Sequence, residues 1–146
     1  MKTASMRFKE DLTMALMESG YGLKNKTMNI RVTQNEKSIF NDLSGATGIK
    51  RAALVSAATT HYSNILDGDS VASELNNYKI QRQNSHAVKD SSIGIRVSED
   101  DIDKLNRVAA VLGVTRASAV VIMIYKLHDS FCLAETHDYI TEQNMI

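Results

Sequence analysis

Apolar and polar residues alternate in two short stretches, Met28-Asn29-Ile30-Arg31-Val32 and Ile93-Gly94-Ile95-Arg96-Val97, which is the period of a strand with one apolar face. Outside these stretches the period changes. Ile102, Leu105, Ala109 and Leu112 recur at helical spacing, and Ile39, Phe40 and Leu43 do so over a shorter run. Each strand turns almost directly into its helix: Thr33 and Glu36 have capping-box spacing, and Ser98 with Asp101 is a shorter-armed version. Gly48 and Gly113 are placed to stop those helices. A second helix is predicted after each glycine. The Ala-rich stretch Ala52 to Ala58 is a good helix former, and Ala117 to Ile124 is apolar nearly all round, as a helix in the middle of a shared core would be. Val120, Val121, Ile122 and Ile124 would also suit a strand, but their register with the Ala-rich stretch favours helix.

That register is an internal repeat. Ile30-Arg31-Val32-Thr33 returns as Ile95-Arg96-Val97-Ser98, and Gly48-Ile49-Lys50-Arg51-Ala52 returns as Gly113-Val114-Thr115-Arg116-Ala117, both at an offset of 65. Phe40 and Leu105, Asn41 and Asn106, and Leu43 and Val108 fall into the same ungapped frame, so duplication explains the pattern better than coincidence. The chain divides accordingly into an N-terminal helical arm (1–26), a strand-helix-helix unit (27–62), a polar linker (63–91), a second unit (92–128) and an acidic tail (129–146). Within the arm, Lys9 to Ser19 reads as a helix, and within the linker a short helix is predicted from Ser70 to Asn77. An alternative parse makes Met6-Arg7-Phe8 a strand, with Gly22 to Thr27 leading into a helix.

With 146 residues, 43% of them hydrophobic and 23% charged, the chain can fold around one core or two small ones that merge. The strongly apolar run Ala117 to Tyr125 is far shorter than the roughly 20 residues of a membrane span, and Met1 to Met17 is too charged for a signal peptide, so a cytoplasmic protein with no membrane partner is expected. Net charge is zero, which argues against indiscriminate coating of nucleic acid. The charge is unevenly spread: residues 1–32 carry six basic against three acidic side chains, whereas Asp129, Glu135, Asp138 and Glu142 follow Lys126 with no Lys or Arg. The tail is therefore expected to face solvent or a protein. Cys132 is alone, and His61, His86, His128 and His137 lack metal-ligand spacing, so no enzyme activity, metal or cofactor is expected.

Strand, capped helix, glycine and helix, with the Ile-Arg-Val and Gly-x-x-Arg landmarks, resembles the ribbon-helix-helix family of Arc/MetJ-like DNA-binding proteins over about half the chain. The resemblance implies a mainly α fold with a two-stranded antiparallel β-ribbon, in which two ribbon-helix-helix units in one chain form a pseudo-dimer. It also implies that the ribbon enters the major groove of double-stranded DNA. A tandem arrangement is similar to certain conjugative-plasmid DNA-processing proteins. Two positions depart from the family pattern: Lys50 stands where a Ser or Thr cap is usual, and Gly94 where a base-reading side chain is expected.

Strand alternation then sorts the residues. With Met28, Ile30 and Val32 turned inward, Thr27, Asn29 and Arg31 face outward, as do Ser92, Gly94 and Arg96, and these six are the candidate base readers. Gly48, Lys50 and Arg51, with Gly113, Thr115 and Arg116, surround the starts of the second helices and are the candidate phosphate contacts. The alternative for Arg31 and Arg96 is a solvated charge that keeps an edge strand from aggregating. The expected partner is double-stranded DNA, bound by a transcriptional regulator such as a repressor or by a DNA-processing factor, with self-association on the DNA. The alternative is an antitoxin-like or adaptor-like module whose acidic tail binds a protein. Because Gly94 removes one reader from the second strand, an asymmetric DNA site is expected.

Overall fold

The computed structural model describes residues 2–19 and 24–144. They form α1 (Ala4–Glu18), β1 (Lys26–Val32), α2 (Gln34–Thr47), α3 (Arg51–Ile65), α4 (Asp69–Asn84), β2 (Ser91–Val97), α5 (Glu99–Leu112) and α6 (Arg116–Asn144). The protein is mainly helical with one two-stranded antiparallel sheet among the described residues. Helix, strand, helix, helix occurs twice in succession, and α1 and α4 begin 65 residues apart, the same offset as the strands.

β1 and β2 pair antiparallel, with Lys26 opposite Val97, Asn29 opposite Gly94 and Val32 opposite Ser91. Inward residues therefore meet inward residues. Ile30 faces Ile93 across the ribbon and both are buried, while Met28 faces Ile95. A two-stranded ribbon is marginal by itself, so it depends on what lies beneath. Beneath are α3 and α6, buried on every side from Leu54 to Thr60 and from Ala119 to Ile124. Ala57, Ala58 and Ala119 are fully enclosed small residues that let these helices approach closely. Each fully buried Ile, Leu or Val contributes about 1.5–3 kcal/mol.

Both strand-to-helix turns carry capping boxes. In the first, Glu36 N–H donates to Thr33 Oγ1 at 3.1 Å and Thr33 N–H to Glu36 Oε1 at 2.9 Å; in the second, Asp101 N–H donates to Ser98 Oγ and Ser98 N–H to Asp101 Oδ2, each at 3.1 Å. At the other ends of α2 and α5, Gly48 (φ 72°) and Gly113 (φ 67°) adopt the left-handed conformation, which Gly takes without strain.

Three sequence boundaries move. The tail is not separate, because α6 runs unbroken through residue 128 to Asn144. Phe131 is buried with its ring 5.3 Å from that of Phe8, and Asp138 accepts N–H bonds from Ala4 (2.6 Å) and Ser5 (3.1 Å). The linker holds a helix twice the expected length, since α4 buries Leu75 and is fastened at its end by Arg82. The arm helix starts earlier than Lys9, where Thr3 and Asp138 supply the caps. Met6-Arg7-Phe8 is helical rather than a strand, and Lys26 and Thr27 are already in β1, which removes that parse; its Gly22 lies outside the described residues, as do residues 145–146 of the tail. By length and composition α6 is apolar enough to cross a membrane, yet its apolar side chains from Ala119 to Leu127 are largely enclosed by the other elements.

Glu36 and Arg82 form an ion pair at 2.8 Å with only 3% and 8% of their side chains exposed. Arg82 also donates to Ser118 Oγ (2.7 Å) and to the Arg31 carbonyl (3.2 Å), so one side chain of α4 ties together α2, α6 and the end of β1. Arg82→Ala leaves Glu36 buried without its countercharge and should lower unfolding free energy by about 3–5 kcal/mol, measured by urea denaturation. Burial of half the His61 ring on α3 lowers its pKa below the ordinary 6.5, only partly offset by Asp11 and Glu18. A lowered folded pKa means that the unfolded chain takes up the proton first, so stability is lost as pH falls below about 6.5. His61→Gln should show a smaller drop in Tm than the parent between pH 7 and pH 5, followed by circular dichroism.

Candidate functional site

The outer face of the ribbon carries all six residues expected there, and all six are exposed. Pairing arranges them in three levels: Thr27 opposite Arg96, Asn29 opposite Gly94, and Arg31 opposite Ser92. Arg31 donates to the Lys89 carbonyl at 3.1 Å. Arg96 has no hydrogen bond or ion pair among the described residues, so its guanidinium donors are open to a ligand.

A shallow concavity of about 630 Å³ lies along each edge of the ribbon. Along β1, Lys26, Thr27 and Asn29 face Thr115, Arg116 and Ala117 at the start of α6; along β2, Gly94 and Arg96 face Lys50, Arg51 and Ala52 at the start of α3, with Asn41 and Ser44 alongside. Each strand is thus bordered by the second helix of the other half of the chain. Positions 50–52 and 115–117 are equivalent in the 65-residue repeat, so both edges are closed by the same part of the unit.

The helix starts at these edges differ from those behind the strands. α2 and α5 occupy their leading N–H groups with capping boxes, and α5 adds Glu99, Asp100 and Asp101 in its first turn. α3 and α6 have no acidic residue in the first turn. Lys50 is the cap residue of α3 but makes no side-chain cap bond, whereas Thr115 Oγ1 accepts the Ser118 N–H at 3.1 Å. The free N–H groups and positive dipole end of α3 are therefore available to an anion, and Thr115 retains only its O–H as a donor. Gly48 and Gly113 lie at the preceding turns and line neither concavity; their part is to let the chain turn into these helices.

Sequence reasoning missed several basic residues nearby. Lys26 opens β1 and lines the β1 edge, and extending the alternation one residue upstream would have included it. Lys79 and Lys89, with Gln83 and Ser118, line a smaller hollow beside the start of α6. Lys79 comes from α4, and nothing in a polar linker sequence marks which face of such a helix is turned toward the ribbon.

No group of three or more His, Cys, Asp and Glu side chains converges among the described residues. The Cys132 thiol is exposed, and desolvation followed by Glu135 and Asp129 raises its pKa, the opposite of nucleophile activation. Comparisons with protein-family models, curated proteins and solved structures give no match for this chain.

Proposed function

We propose that this chain is a cytoplasmic, sequence-specific binder of double-stranded DNA, a tandem ribbon-helix-helix protein whose single ribbon enters the major groove. The observation that carries this reading is the ribbon itself: an exposed polar face with two arginines and an asparagine, bordered on both edges by helix starts free of acidic residues. The groove is about 12 Å wide and admits a two-stranded ribbon. Arg31 and Arg96 have the donor geometry for guanine O6 and N7, and Asn29 for adenine N6 and N7; Thr27 and Ser92 complete the face. Lys50, Arg51, Thr115 and Arg116, joined by Lys26, hold the flanking phosphates. Edge protection alone explains an exposed Arg on a strand, but not helix starts free of acidic residues on either side of it, of which that of α3 also lacks a side-chain cap.

Pseudo-dimer architecture is supported by a numerical coincidence between sequence and register. Paired residues sum to 123, and the repeat offset is 65, so one residue alone pairs with its own equivalent: Asn29 with Gly94. A two-fold axis between two units must pass between equivalent residues. Sharing of α3 and α6 in one core makes the pair intramolecular, and the DNA function is that of a transcriptional regulator or DNA-processing factor. Two acidic side chains of the tail are engaged within the chain, since Asp129 accepts the Tyr78 O–H and Asp138 caps α1.

Arg31→Ala and Arg96→Ala should each weaken specific binding by about 1–3 kcal/mol and relax base preference at different positions of the site. Lys50→Ala should weaken binding to cognate and shuffled duplexes about equally and reduce the salt slope by roughly one counterion. Fluorescence anisotropy titrations at several salt concentrations measure both, and equal affinity of the parent protein for shuffled duplexes would overturn the proposal. Sedimentation equilibrium should find a folded particle near 16.1 kDa. Folding only at twice that mass would mean that strands pair between chains.

A further inference from the structure

The register refines the asymmetry expected from Gly94. In the 65-residue correspondence Thr27 matches Ser92, and Arg31 matches Arg96. Pairing sets Thr27 opposite Arg96 at one end of the outer face and Ser92 opposite Arg31 at the other. Both end levels therefore present the same chemistry, a hydroxyl beside a guanidinium. The inequality is confined to the central level, where Asn29 faces a glycine.

The glycine is not required by the backbone, because positive φ among the described glycines occurs only at Gly48 and Gly113. Its missing side chain has a different consequence. A Cβ built on Gly94 would lie 3.4 Å from Asn29 Oδ1, so the Asn29 carboxamide is folded over the glycine and occupies the middle of the ribbon alone.

We propose that Asn29 is the specificity-determining residue that fixes which way round the protein lies on its DNA. This inference rests on the DNA-binding function proposed above. The two end levels read an inverted repeat, which looks alike in either orientation, and a single carboxamide on the axis makes one orientation better. Successive outward levels are about 7 Å apart, so the two arginines address guanines on the order of four base pairs apart. Between them, Asn29 favours an adenine on one DNA strand. In side-chain hydrogen bonding Arg31 and Arg96 differ by the exposed bond from Arg31 to the Lys89 carbonyl, and of the two only Arg96 lines an edge concavity. A solvent-exposed hydrogen bond exchanges readily with water, so it leaves the Arg31 guanidinium able to read a base as Arg96 does.

Selection of bound duplexes from a randomised library, with the full chain and its Asn29→Ala and Gly94→Asn variants, tests the assignment. The parent should yield an inverted repeat with a non-palindromic centre. Asn29→Ala should keep the flanks while its preference at the centre falls at least about fivefold. Gly94→Asn, which restores the equivalent side chain, should select a site palindromic throughout. A palindromic centre for the parent, or an unchanged asymmetric centre for Asn29→Ala, overturns the role of Asn29 and leaves DNA reading intact. Selection of no motif by the parent overturns both.

Discussion

Among the described residues β1 and β2 have no strand partner but each other, and 65 residues separate equivalent points along them. Everything else in the molecule follows from that pairing. A lone ribbon cannot persist in water, so its inner face must be covered, and the covering helices must come from both halves because each strand brings its own pair. α3 and α6 meet under the ribbon in a common core, with Ala57 and Ala58 of one and Ala119 to Ile124 of the other fully enclosed. The buried strand residues and those of both second helices belong to one core cluster drawn from both halves of the chain.

Burying the capping boxes under α3 and α6 creates a second problem, since each contains a carboxylate. Glu36 and Asp101 are both 3% exposed. The two halves solve it differently. Glu36 is met directly by Arg82 from α4, whereas Asp101 accepts from Ser56 Oγ at 2.9 Å, and that hydroxyl in turn accepts from Lys24 Nζ at 3.0 Å. A buried carboxylate without such donors would cost several kcal/mol, so the segments that precede each strand are structural. The carboxylates they satisfy are buried, separate from the exposed outer face of the ribbon, which the segment before β2 reaches through the bond from Arg31 to the Lys89 carbonyl.

That separation shapes the site. Inward positions of the strands are fixed by the core, so the outward positions are free to carry chemistry that contributes nothing to packing. Thr27, Asn29, Arg31, Ser92 and Arg96 remain exposed although the ribbon beneath them is among the most buried parts of the chain. Rigid backing of exposed donors is what recognition of base edges needs, because less side-chain freedom is lost on binding when the backbone is already held.

The sequence by itself determined whatever is local or periodic: the two strands, their capping boxes at Thr33 and Ser98, the glycines at 48 and 113, the second helices, and the outward set. These depend on alternation, helical spacing and backbone freedom, which neighbours in sequence specify. Only the tertiary structure decided the rest. α4 looks like a polar linker because its stability comes from Leu75 and the Arg82–Glu36 pair, contacts made at long range. The tail looks like an acidic appendage because the partners of Phe131 and Asp138 lie in α1, more than 100 residues away. The pairing of Asn29 with Gly94 was equally hidden: the repeat says which residues are equivalent, but which equivalents meet is set by how the two halves dock, since a shift of register would move the axis to another pair.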